Sequence, residues 1–105
     1  MKKILCLDFD GVIHSYTSPW RNARKIPDPP VDYAFRWIRE FMVRHCIGEE
    51  AGWQVNIFSS RSRYKGGVEA MKKWMLAWGF DAYLLRRIKL GARGDRRRDN
   101  YEEKR

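Results

Sequence analysis

The run Ile4-Leu-Cys-Leu-Asp-Phe-Asp-Gly11 constrains this chain more than any other segment. A short apolar stretch with a β-branched residue and an aromatic, closed by Asp-Gly, reads as a buried strand that stops at Gly11. Asp8 and Asp10 stand at i and i+2, positions that share one side of an extended strand. Gly11 lets the backbone turn sharply and approach a ligand. Two carboxylates at a strand end suit a hard cation such as Mg²⁺, with one carboxylate attacking phosphorus and the other protonating a leaving oxygen. An ordinary strand-ending turn uses the same residue types, so on these residues alone both readings stand.

Downstream, Val12 to Pro30 has no sustained periodicity and predicts a long loop or flap. Asp28-Pro29 has the form of a helix N-cap and first helical residue. Val31, Ala34, Phe35, Ile38, Phe41 and Met42 then recur at spacings of three and four, which predicts an amphipathic helix to about His45. Trp53–Phe58 predicts a second strand that ends in the polar loop Ser59-Ser-Arg-Ser62. Gly66-Gly67 opens a second helix with Val68, Met71, Trp74, Met75 and Trp78 on its core face and Gly79 as its stop. Beyond Phe80, Ala82–Leu85 and Ile88–Leu90 offer at most a short further strand.

Strand, helix, strand, helix is a βαβα unit, so the expected fold class is α/β: a Rossmann-like core with a short parallel sheet flanked by helices. In such sheets ligands bind beyond the carboxyl ends of the strands. Asp8 to Gly11 and Ser59 to Ser62 both fall there. The expected organisation is one core over residues 1–90 and a basic polar tail over 91–105, disordered or a short helix.

Charge sharpens that division. The chain carries a net +9, with thirteen Lys/Arg against nine Asp/Glu up to residue 85 and nine against four thereafter. A basic balance favours phosphate-rich partners, and the tail is the expected contact if nucleic acid is one of them; a solvated tail is the plain alternative. Trp20, Arg21, Arg24 and Lys25 form either a stacking and phosphate-binding lip or a solvated loop with one packing tryptophan. His14 either touches a ligand or is a loop histidine without a role. Cys6 and Cys46 form no CxxC pair and read as buried reduced thiols, which points to the cytoplasm. Asp8 and Asp10 interrupt the apolar N-terminal run too early for a signal peptide, and no stretch is long enough to span a membrane.

Leu7-Asp-Phe-Asp-Gly-Val12 resembles the first motif of the haloacid dehalogenase superfamily, and Val55-Asn-Ile-Phe-Ser-Ser-Arg61 resembles its second. The Ser-x-Arg form is similar to the 3'-phosphatase domain of polynucleotide kinases and to short phage and bacterial hydrolase-like proteins. With Ile26-Pro-Asp-Pro-Pro30 and Gly66-Gly-Val-Glu-Ala-Met71, the resemblance covers residues 3–85. It implies a Mg²⁺-dependent phosphatase acting on a phosphorylated small molecule or a nucleic-acid 3'-phosphate. By the same resemblance Asp8 is the nucleophile and a metal ligand. Asp10 is the general acid and base and a metal ligand through its backbone carbonyl. Ser59 is the phosphoryl contact, and Gly11, Ser60 and Arg61 bind substrate, with a surface or sheet-edge salt bridge as the other reading of Arg61.

The chain departs from that pattern after Leu90, so the core that the resemblance implies is incomplete at the C-terminus. The family's third motif is a lysine and its fourth a set of acidic residues after another apolar strand. Lys89, Asp95 and Asp99 are the nearest substitutes. The end of the chain reads as truncated, frame-shifted or replaced, and an impaired remnant that binds nucleic acid or a partner is the alternative function. A sheet short of a strand would also leave an edge or apolar helix faces exposed.

Overall fold

The computed structural model describes residues 2–49, 51–91 and 102–104. In chain order these form β1 (Lys3–Asp8), α1 (Ala34–His45), β2 (Trp53–Phe58), a 3₁₀ turn (Ser60–Arg63), α2 (Gly67–Ala77), α3 (Ala82–Leu85), β3 (Lys89–Gly91) and β4 (Glu102–Lys104). The sheet order is β3-β2-β1-β4 and every pairing is parallel. The expected α/β class and parallel sheet are therefore present.

Alternation along β1 sends Leu5 and Leu7, with Phe9 just beyond, to the face that takes the helices. Phe9 meets Trp74 of α2 edge-on at 5.3 Å. Phe35 of α1 packs edge-on against the same Trp74 at 5.7 Å and against Phe80 at 5.2 Å, so α1 and α2 share one face. Consecutive right-handed crossovers toward the same edge give that arrangement. Ile13, Ile38, Met42, Ile57, Met71 and Met75 complete the buried core. An open apolar groove of about 700 Å³ remains between β1 and α1, lined by Leu5, Leu7, Ile13, Trp37, Phe41 and Trp53 among others.

Four expectations change. Helix α1 begins at Ala34 rather than after Asp28, because residues 29–31 are used elsewhere. Ser15 N–H donates to the Pro29 carbonyl at 3.0 Å and Val31 N–H to Ile13 at 2.8 Å. Pro30 also keeps Pro29 out of the helical region. Tyr33, left-handed at φ 66°, then turns the chain into the helix. Trp78 is the C-cap of α2, its N–H still on the Trp74 carbonyl at 3.1 Å, and is 51% exposed while Trp74 is 7%. Ala82–Leu85 is a single helical turn, because the Asp81 carboxylate accepts the Leu84 N–H at 3.0 Å as an N-cap.

The fourth change concerns the tail. Glu102–Lys104, expected in a disordered or helical segment, runs as a strand beside β1, with Leu5 opposite Glu102 and Leu7 opposite Lys104. A strand edge is filled by backbone donors and acceptors, which a charged segment supplies as well as an apolar one. Residues 92–101 and 105 lie outside the described residues, and with them Asp95 and Asp99. Among the described residues no helix is long and apolar enough to cross a membrane.

Candidate active site

Strand register builds the site. Asp8, the last residue of β1, pairs with Phe58, the last of β2, so Asp10 and Ser59 lie just past neighbouring strand tips. After Phe9 the chain reverses. The Phe9 carbonyl accepts the N–H groups of Ile13 and His14, both at 2.9 Å, while Gly11 N–H donates to the His14 carbonyl at 2.7 Å. Gly11 has φ 87°, the left-handed conformation that a glycine takes at little cost. This reversal returns His14 to Asp10.

The Asp10 carboxylate is surrounded by donors. Arg61 Nε–H lies 3.1 Å from Oδ1 and 3.0 Å from Oδ2. His14 Nδ1 is 2.9 Å from Oδ1, and the Ser59 hydroxyl donates to Oδ2 at a longer 3.3 Å. Asp28 N–H donates to His14 Nε2 at 3.1 Å, so Nε2 carries the lone pair and Nδ1 the proton directed at Asp10. Ser59 is the one partner of the three that can accept as well as donate. A proton on Asp10 Oδ2 therefore has an acceptor in place, once the Ser59 hydroxyl rotates.

Arg61 is buried, and its guanidinium ties the flap to this cluster. Its Nη1 group donates to the carbonyls of Asn22, Ala23 and Lys25 at 3.2, 3.0 and 2.9 Å. The Trp20 ring covers it, with the Arg61 Cζ 4.6 Å from the ring centroid. Arg61 makes an ion pair with Asp10 that is buried, where the salt-bridge reading placed it at the surface or the sheet edge. The 3₁₀ turn that carries Arg61 is capped by Ser59, whose Oγ accepts the Arg61 N–H at 3.1 Å.

Asp28 organises the other side of the flap. Its carboxylate accepts the Ser18 hydroxyl at 2.6 Å and the N–H groups of Thr17 and Ser18 at 2.9 and 2.8 Å. These bonds, Ser18's first, outweigh desolvation and hold its pKa below the usual carboxylate value. Its carbonyl accepts Trp74 Nε1–H at 3.0 Å, which anchors the flap to α2. Asp28 is thus a flap-closing residue in place of the expected helix cap.

Among the sequence-designated residues, the structure brings Asp10, Ser59 and Arg61 into one hydrogen-bonded cluster, with Asp8 at the adjoining strand tip and Gly11 in the turn. Ser60 is exposed at the start of the 3₁₀ turn. Lys89 pairs with Asn56, level with Cys6 and two strands from β1, so it does not stand at the tip with Asp8. The sequence offers Asp28 only as a helix cap and His14 only as a ligand contact or a loop residue, and neither reading contains the chain of bonds from Asp28 through His14 to Asp10. The only local signal is the i, i+4 spacing of Asp10 and His14. No family model, curated protein or solved structure matches the chain.

Proposed function

We propose that this protein is a Mg²⁺-dependent phosphohydrolase of the haloacid dehalogenase type in which Asp8 is the nucleophile. The observation that supports this reading best is the Asp10–Ser59–Arg61 cluster beside the strand that ends on Asp8. It unites two motifs separated by about half the chain, at the end of a parallel sheet where ligands bind. Cytoplasmic localisation and a phosphorylated small molecule or nucleic-acid 3'-phosphate as substrate belong to the same proposal.

Among the described residues no three His, Cys, Asp or Glu side chains gather as a metal cluster. Mg²⁺ nevertheless is often held by one or two carboxylates with water and substrate phosphate completing its shell. Asp8 supplies a hard oxygen of that kind, and the Asp10 backbone carbonyl a second, while the Asp10 carboxylate is engaged by donors. When bound, the ion cancels charge that would oppose attack by an anion on a phosphate.

The chain's own residues divide the remaining work. The Asp8 carboxylate attacks phosphorus, forming the acyl phosphate bond as the ester P–O bond breaks, and Asp10 gives its proton to the departing oxygen. Asp10 then takes a proton from water as that water cleaves the aspartyl phosphate and regenerates Asp8. Ser59 and Arg61 orient Asp10, and His14 holds its Oδ1. Rapid acid quench during turnover, followed by mass spectrometry of the peptide containing Asp8, tests the scheme. Phosphate on Asp8 is expected, and phosphate on no residue or on another residue contradicts it.

A further inference from the structure

Two loops flank Asp10, and neither contains an acidic residue. Residues 11–27 carry Arg21, Arg24 and Lys25, and residues 59–66, up to the start of α2, carry Arg61, Arg63 and Lys65. Arg61 is buried against Asp10, but the other five cations are exposed. Arg61 also fastens the loops together through the carbonyls at 22, 23 and 25. Gly66 completes the seam, because a Cβ there would lie 2.8 Å from Arg24 Cδ. A cleft of about 400 Å³ opens beside it, lined by Arg24, Ile26, Gly66, Glu69, Lys73 and Trp74 among others.

Exposed rings interleave with these charges: Tyr16, Trp20 and Tyr64. One side of Trp20 rests on the Arg61 guanidinium, and 43% of the residue's surface remains open. Five spread cations exceed what one phosphate monoester needs. Aromatic faces backed by cations are what unpaired bases stack on, with the phosphates following the basic groove.

We propose that this rim binds single-stranded nucleic acid, with a base stacked on Trp20 and the backbone drawn along Arg21, Arg24, Lys25, Arg63 and Lys65. The surface lies at the site itself and not in the C-terminal tail. It names a substrate class for the proposed phosphohydrolase, and rests on that reading for hydrolysis but not for binding.

The test is fluorescence anisotropy of a labelled oligothymidine of about twelve nucleotides, a length within the usual range for such sites. It is titrated over a salt series with the Asp8→Asn protein and without Mg²⁺. Trp20→Ala in that background is expected to weaken binding about tenfold, the loss of one stacked base. Arg63→Ala with Lys65→Ala, both exposed positions, is expected to flatten the slope of log K against log salt by about 1.4. A duplex of the same sequence is expected to bind more weakly. The proposal is overturned if both variants bind like their parent, or if duplex or polyglutamate competes equally. It is also overturned if binding is lost only in a variant with Arg96, Arg97 and Arg98 changed to alanine. Oligonucleotide binding without phosphate on Asp8 during turnover would remove only the hydrolytic reading, and the converse result only this one.

Discussion

Arg61 concentrates the physics of the site in one side chain. A buried guanidinium satisfied by one carboxylate and three carbonyls is stable only while all of them stay in place, because each would otherwise be buried without its partner. Arg61→Ala is expected to lower stability by about 3 kcal/mol or more in urea denaturation. Arg61→Lys should recover only part of this, since an ammonium lacks the planar fork. Unchanged stability in Arg61→Ala would show that the flap is held by other contacts. Asp28 gives a pH signature. Its folded pKa is depressed, so its contribution is complete above the unfolded value of about 3.9 and is lost as pH falls through the folded one. Below about pH 4 the urea midpoint of the wild type should therefore fall faster than that of Asp28→Asn. Parallel curves would contradict the assignment. Cys46 bears out the reading of a buried thiol: desolvation raises its pKa, against the opposing charges of Lys2 and Arg87. The sequence pointed to Asp10, Ser59 and Arg61 because strand ends and short motifs are local signals. His14, Asp28 and Trp74 were not legible as a set, since their links span 14 and 46 residues and only the folded chain creates them.

At the scale of elements, periodicity located the helices and strands more faithfully than their caps. β2 begins and ends where the apolar alternation does, and α1 stops at His45 as its pattern does. Asp28-Pro29 has cap chemistry, yet the demand of the Ile13–Ser15 backbone for partners decides its use and moves the start of α1 to Ala34. Periodicity gives Trp78 a core face, but Trp78 stands at the C-cap of α2 and is exposed there. The Gly66-Gly67 pair opens α2, but Gly67 has a reason the sequence does not display. A Cβ at Gly67 would lie 1.8 Å from the Arg61 carbonyl oxygen, so α2 can meet the 3₁₀ turn only without a side chain there. Gly67→Ala is therefore expected to cost about 2 kcal/mol or more, because backbone must move. Gly48→Ala, at φ 93° with open space around it, should cost nearer 1 kcal/mol from conformation alone. Equal losses in chemical denaturation would mean that the turn and the helix adjust to each other freely.

At the scale of the whole molecule, the parallel α/β class was legible because βαβ connectivity and handedness leave few alternatives. The edge strand Glu102–Lys104 was not, because nothing in an acidic and basic segment marks its backbone for β1. Among the described residues an apolar groove lies between β1 and α1, and the edge beside β1, where a missing strand would leave backbone exposed, is occupied by β4. The topology sets β1 between two strands with Asp8 at its carboxyl end and the Asp10 cluster beside it, while Lys89 lies two strands away. The central claim thus depends on Asp8. Phosphate release from an aryl phosphate, measured with and without Mg²⁺ for the wild type and for Asp8→Asn, tests it most directly. The account predicts Mg²⁺-dependent release that Asp8→Asn lowers by about 1,000-fold or more, the scale expected when a group the reaction cannot bypass is removed. Equal turnover by the two proteins would contradict it.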